Sequence, residues 1–320
     1  MTSGILLLDK PQGWTSHDVV ARTRRLAGTR KVGHAGTLDP MATGLLVLGV
    51  DSSTRLLTYI VGLDKEYRAT IRLGVASTTD DAEGELLEPA PAVAVGAVAE
   101  AAILNGIARL TGDIEQVPST VSAIKVDGRR AYARVRAGEQ VRLAARPVTV
   151  SAFELLSSTA VDGYLDLEVR VECSSGTYIR ALARDLGATL GVGGHLTSLC
   201  RTRIGPFSIS ETHSLDGLDI EAALLAPAGV GERLFGRYDL DAQQAVDLGH
   251  GKRIEVAETP DVGLRAAIAL DGRLIGLIEL RGGSGKSVVN FPSDAAAAEP
   301  ANARPVRPAS GRTPEEDGTL

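Results

Sequence analysis

Apolar residues fall into short runs and strict alternations along most of this chain, a pattern that predicts many strands separated by a few amphipathic helices. Gly4-Ile5-Leu6-Leu7-Leu8 reads as a buried strand stopped by Asp9-Lys10-Pro11. Thr15 or Ser16 can cap a helix that runs through Val19, Val20 and Leu26 to Gly28, a natural residue just past a helix end. Residues 45–50 form a second buried run, after which Ser52 or Ser53 caps a helix through Leu56, Leu57 and Ile60. Residues 65–74 alternate apolar and charged, which puts Tyr67, Ala69, Ile71 and Leu73 on one buried face. Residues 78–95 are acidic, then rich in Ala and Pro, and read as a solvated loop without chemistry. An Ala-rich helix follows over 98–110, then a strand over 116–128 with an Asp-Gly turn, then a basic helix from Arg129. Residues 148–156 and 165–173 alternate regularly enough to imply an antiparallel sheet with one buried face. Thr177 is placed to cap a helix to Leu186, and a Gly-rich turn and strand occupy 191–203.

From about Val230 the texture changes to a meander of short strands over 264–270, 273–281 and 287–291. Beyond Pro292 almost nothing is apolar enough to pack, so residues 293–320 are expected to be disordered. A length of 320 residues suggests two domains, and 44% hydrophobic with 23% charged residues is ordinary for a soluble globular protein. Cys173 and Cys200 show neither metal-ligand spacing nor a disulfide framework, and fit a reducing, cytoplasmic setting. No apolar run approaches membrane-spanning length.

The net charge of −6 argues against a blanket cationic nucleic-acid binder, so charge has to be read locally. Arg22, Arg24, Arg25, Arg30 and Lys31 gather before one Gly-rich segment, and residues 122–146 hold seven cations against two anions. The second cluster, with Arg129, Arg130 and Arg134, is the better candidate for a phosphate-tracking surface. The segment after the first cluster is Gly33-His34-Ala35-Gly36-Thr37-Leu38-Asp39-Pro40-Met41-Ala42-Thr43-Gly44. Its glycines permit positive φ and close approach of backbone, and Pro40 holds Asp39 out of the helical region. Physics alone weighs a shaped catalytic loop about evenly against a turn in which Asp39 merely caps the chain.

That twelve-residue segment resembles the catalytic motif of the TruB family of bacterial tRNA pseudouridine synthases. Residues 4–13, 65–74, 116–132 and 176–187 are similar to further family blocks, in family order. The resemblance implies an α+β pseudouridine synthase fold, a mixed and largely antiparallel sheet flanked by helices. A small β-barrel, PUA-like RNA-binding domain would follow, with the chain divided into 1–229, 230–292 and a 293–320 tail. It implies an isomerase that converts a uridine in the T-arm loop of tRNA, position 55, to pseudouridine. The C1′–N1 bond breaks, the uracil rotates, and it is rejoined through C5 with no cofactor, no metal and no obligatory protein partner.

By the same resemblance Asp39 is the catalytic carboxylate, acting as nucleophile or base, and Arg180 is its ion-pair partner. His34 occupies the space of the everted nucleotide, Tyr67 stacks on the base, Tyr178 stands near it, and Leu199 lines the uridine site. Lys31, Arg129, Arg130 and Arg134 are weaker candidates for RNA backbone contact. Ser119 and Val121 stand where family members usually carry a proline and an aromatic. His195 is read as structural. The competing readings are a non-catalytic RNA-binding or tRNA-folding protein, and a guide-dependent synthase acting on ribosomal RNA. A glycosidase would need a second paired carboxylate, and a P-loop reading of Gly285-Lys286-Ser287 fails because Leu280 stands at the first glycine position.

Overall fold

The computed structural model describes residues 3–119, 143–256 and 262–291, and the backbone of 125–126 and 129–130. In chain order the strands of the first part are β1 (Gly4–Lys10), β2 (Val32–Ala35), β3 (Thr43–Val50), β4 (Lys65–Leu73) and β5 (Gly112–Gln116). They are followed by β6 (Lys125–Val126), β7 (Arg129–Arg130), β8 (Arg146–Val161), β9 (Tyr164–Cys173), β10 (Gly194–Ile204) and β11 (Phe207–Ser208). The main sheet runs β1-β3-β10-β4-β9-β8-β5, with β2 on β3 and β11 on β10. Every pairing in it is antiparallel except β3 with β10, which lie parallel with Thr43 opposite Cys200 and Gly44 opposite Arg201. The sheet is therefore mixed and largely antiparallel, as expected.

The sequence patterns explain the layers. β4 and β9 alternate, so one face of each packs with Leu182, Ala183 and Leu186 of the Ile179–Thr189 helix. β1 and β3 are apolar throughout because both faces are covered. Leu6, Leu8, Leu46 and Leu48 meet Val19 and Val20 of the Ser16–Leu26 helix, whereas Ile5, Leu7, Leu45 and Val47 face the C-terminal part. The β8–β9 hairpin closes on Asp162 and Gly163 at φ 50° and 85°, the paired positive values of a type I′ turn.

Several local expectations change. Thr15 caps the first helix, but neither Ser52 nor Ser53 caps the next: a 3₁₀ turn starts at Asp51 and passes into Leu57–Ile60. The Ser53 N–H is taken instead by Ser3 Oγ, 2.9 Å away on the incoming chain. A strand ends at Gln116, where the expected one was to begin; residues 125–126 are extended, and 120–124 and 127–128 lie outside the described residues. Arg129 and Arg130 are extended too, not helical, because they pair with Lys125 and Val126. The rest of the expected basic helix lies outside the described residues. The Thr177 helix begins at Ile179 with Tyr178 as its cap position. Gln116 clamps that position, accepting from Tyr178 N at 2.8 Å and donating to Tyr178 O at 3.1 Å.

The C-terminal part holds β12 (Arg237–Asp239), β13 (Ile254–Glu255), β14 (Gly263–Ile268), β15 (Leu274–Arg281) and β16 (Ser284–Asn290). They form a five-stranded sheet in the order β12-β14-β15-β16-β13, so β12 and β13 end the described ladder. The expected strands over 264–291 are all present. The position expected to divide the two domains falls inside the Pro227–Phe235 helix. Residues 293–320 lie outside the described residues.

Candidate active site

The site begins with the way the Asp39 segment is tied down. After β2 the chain turns at Gly36, φ 78°, and Ser16 Oγ holds it by accepting from Leu38 N at 2.9 Å. It re-enters the sheet at Gly44, where φ is 95° and an added Cβ would lie 2.4 Å from the Arg201 carbonyl. Only glycine permits β3 to pass β10 that closely. Lys10, read in the sequence as part of the stop after the first strand, is the last residue of β1 and fully buried. Its ammonium donates to the carbonyls of Pro11, Trp14 and Pro40 at 2.9, 2.6 and 3.2 Å. Burial lowers its pKa to about 8, against the pull of Asp39.

Arg180 sits in the first turn of its helix, 3% exposed, with its guanidinium spread across two carboxylates. Nε donates to Asp39 Oδ2 at 3.0 Å, and Nη1 donates to Asp81 Oδ2 at 3.1 Å and to the Thr79 carbonyl at 2.9 Å. Asp81 is 2% exposed, whereas the Asp39 side chain is 37% exposed and opens to a cavity. Loss of water around Asp39 raises its pKa, and nearby Asp81 adds to this; Arg180 and Lys10 oppose the rise without cancelling it. The 78–83 loop is thus part of the site, contrary to its reading as a solvated loop. Arg184, one turn beyond Arg180, reaches Asp80 Oδ2 at 3.2 Å and the Val117 carbonyl at 2.8 Å. Ser119 is buried and donates to the Thr79 carbonyl at 3.2 Å, so its hydroxyl fastens the same loop.

The cavity has a volume of about 250 Å³, and Asp39, Tyr67, Tyr178, Arg180 and Leu199 all line it. Five of the six residues assigned to catalysis or substrate therefore converge. Tyr67 comes from the buried face of β4, opposite Arg201 on β10. Burial holds its phenol above the usual pKa, and the Arg201 cation works against this. Arg201 is itself fully buried, with Nε on the Leu45 carbonyl at 2.8 Å and Nη2 on the Gly36 carbonyl at 2.9 Å. It links the sheet to the motif turn.

His34 does not line the cavity. It stands on β2 with its ring edge-on to His17, centroids 5.7 Å apart, and its Nδ1 buried without a hydrogen-bond partner. Burial first, then His17 and Arg201, lowers its pKa and favours the neutral ring. Lys31 is exposed just before β2. The side chains of Arg129 and Arg130, and all of Val121 and Arg134, lie outside the described residues. His195 is buried with Nδ1 2.8 Å from the Val75 carbonyl, a structural contact.

Lys10, Asp81 and Arg201 are absent from the sequence-based site. One signal for Asp81 existed: a guanidinium has five donors, and a buried Arg180 paired with Asp39 alone leaves several unsatisfied. Among the described residues no group of three His, Cys, Asp or Glu side chains could hold a metal ion, and no helix is long and apolar enough to cross a membrane.

Comparison with known proteins places this geometry. The profile described as TruB family pseudouridylate synthase, N-terminal domain, matches residues 24–179. The tRNA pseudouridylate synthase B C-terminal domain matches 180–233, and the tRNA pseudouridine synthase II C-terminal profile matches 235–292. A tRNA pseudouridine synthase B of Leifsonia xyli is 66% identical over 91% of this chain and 97% of its own length. One of Nocardia farcinica is 57% identical over 87% of this chain and 90% of its own. Among solved structures, a Cbf5-Nop10-Gar1 complex is similar with 26% identity and a TM-score of 0.63, over 90% of this chain and 84% of the matched one. An H/ACA RNP bound to a substrate RNA containing 2′-deoxyuridine has the same fold, with a TM-score of 0.64 at 24% identity over 91% and 85% of the two chains. With a family profile matching residues 24–179 and a relative 66% identical over 91% of its length, the chain belongs to the TruB family of pseudouridylate synthases.

Proposed function

We propose that this chain isomerises a uridine in the T-arm loop of tRNA, position 55, to pseudouridine, with Asp39 as the catalytic group. The supporting observation is the Arg180 fork, which aims one oxygen of Asp39 into a small cavity walled by Tyr67 and Leu199. Its volume of about 250 Å³ lies just below the usual range for ligand pockets, which fits a small occupant such as one everted nucleoside. Extruding a stacked base costs a few kcal/mol. Stacking on Tyr67 contributes about 1–3 kcal/mol and offsets much of that cost, and His34 enters the vacated space.

Asp39 acts in its ionised form, either attacking C1′ or removing a ribose proton. The C1′–N1 bond breaks with its electron pair leaving on the uracil, the uracil turns within the cavity, C5 bonds to C1′ as Asp39 is set free, and the C5 proton lost is balanced by one taken up at N1. Leu199 and Tyr178, in the cavity lining, keep water from the detached base. Lys31, Arg129, Arg130 and Arg134 meet the RNA backbone. The naming of the sequence relatives as tRNA pseudouridine synthase B favours tRNA over a guide-directed ribosomal target. The purified chain is accordingly expected to act on tRNA without a protein partner.

Tritium release from T-arm RNA carrying 5-tritiated uridine measures the reaction directly. Asp39→Asn should abolish release while RNA affinity stays within a few fold. Retained turnover would remove Asp39 from its role, and activity only with an added partner would restore the guide-dependent alternative.

A further inference from the structure

Trp14 is the only tryptophan in the chain, and among the described residues it is the one Trp, Tyr or Phe left exposed. Aromatics make up 3% of the sequence, and Trp14, 37% exposed, presents an open aromatic face next to residues tied to the Asp39 loop. That placement is also fixed. The Lys10 ammonium that holds the Trp14 carbonyl at 2.6 Å also holds the carbonyl of Pro40, the residue after Asp39. Gly13 N donates to the same Pro40 oxygen at 2.8 Å. Trp14 therefore travels with the Asp39 loop rather than with a mobile edge.

Its surroundings favour an anionic, base-bearing partner. The side chain borders a shallow cleft with Ala21, Arg25 and Asp18, whose carboxylate is engaged by the Thr15 N–H and hydroxyl. Arg22, Arg25, Arg30 and Lys31 are exposed nearby in sequence and have no ion-pair partner among the described residues, in a chain of net charge −6. His17, three residues on and in the first turn of the Ser16–Leu26 helix, meets the His34 ring edge-on.

We infer that Trp14 is a substrate-contact residue, a stacking platform for an unpaired RNA base neighbouring the everted uridine, with the adjoining phosphates on Arg22 and Arg25. The inference rests on the proposed function for its RNA. Every base offers a π-face, so such a platform adds affinity without base specificity and should act on KM rather than on kcat.

As the only tryptophan, Trp14 reports on itself. Titrating unmodified T-arm stem-loop RNA into the full-length Asp39→Asn chain should quench its emission and shield it from acrylamide. In the wild-type background, Trp14→Ala should raise KM for tritium release by about tenfold or more, with kcat changed less than about twofold. Trp14→Phe should recover most of the loss. Emission that stays unaltered while labelled RNA binds, or an unaltered KM in Trp14→Ala, would overturn the inference. Wild-type protein that releases no tritium defeats the proposed function, whereas active wild type with an indifferent Trp14→Ala defeats this inference alone. Shielding of Trp14 by a protein partner but not by RNA would also overturn it.

Discussion

Arg180 is the residue on which the site turns, because it is shared. One guanidinium holds Asp39 at 3.0 Å and Asp81 at 3.1 Å, in a place where neither Arg180 nor Asp81 meets water. A sequence reading that supplies only Asp39 and Arg180 suggests a carboxylate pushed below its ordinary pKa. The structure reverses that direction: burial outweighs Arg180, and the charge of Asp81 adds to burial. The sign has two separable consequences. Activity, which needs the ionised carboxylate, should fall as pH drops through a value above the ordinary 3.8 of aspartate. Folding stability from this group moves the opposite way, because a pKa raised in the folded state means protonation relieves a buried charge. The acid limb of kcat should therefore appear while far-UV circular dichroism still reports a folded protein. Asp81→Asn should move that limb to lower pH by removing a like charge. It should also lower kcat by about tenfold or more, since a hydrogen bond between charged groups contributes about 1.5–3 kcal/mol. A pH profile unchanged in Asp81→Asn would show that Asp81 only packs.

At the scale of elements, legibility followed the range of the signal. β4 and β9 were readable because alternation is local, and so was the Thr15 cap, whose partner Asp18 is three residues away. The parallel contact of β3 with β10 was not, because no local pattern says that Gly44 will lie beside Arg201. The same holds for Asp81, which looks like any acid in a loop until the helix carrying Arg180, 99 residues on, is docked above it. Arg129 and Arg130 failed differently, since a two-residue hairpin overrode a helical charge pattern. Gly44 tests the β3–β10 junction. Alanine there must accept φ 95° and place Cβ 2.4 Å from a backbone carbonyl that cannot swing away. Strain of about 1–3 kcal/mol combines with overpacking of about 1–3 kcal/mol, so Gly44→Ala should lose several kcal/mol in urea unfolding. Gly217→Ala is the comparison, with φ 68° but nothing within 4 Å of the new Cβ. It should show the strain alone. Equal losses in the two variants would mean that the junction is not under close contact.

The whole molecule is organised by where the two sheets meet. Ile5, Leu7, Leu45 and Val47, on one face of β1 and β3, belong to the same apolar cluster as Val230, Ala266, Ile268, Leu277 and Phe291 of the C-terminal part. Gly231 of the Pro227–Phe235 helix comes so close to Ala266 that an added Cβ would be 3.0 Å away. Arg55 adds a hydrogen bond to the Asn290 carbonyl. The C-terminal sheet is thus part of the structural core, because it completes the apolar layer beneath β1 and β3, the strands that lead into the Lys10 staple and out of the Asp39 loop. Full burial of an aliphatic side chain contributes about 1.5–3 kcal/mol, and the four residues of that face together approach the 5–15 kcal/mol typical of a domain's total stability. A chain ending at Ala226 should consequently be insoluble or lack a cooperative thermal transition, and should lose catalysis along with RNA affinity. A chain ending at Phe291 keeps every described contact, and its melting temperature and tritium release should match the full length. If the shorter chain folded cooperatively and kept kcat with only KM raised, the C-terminal part would be a detachable RNA-binding module, and the shared cluster would not be what holds the Asp39 loop in place.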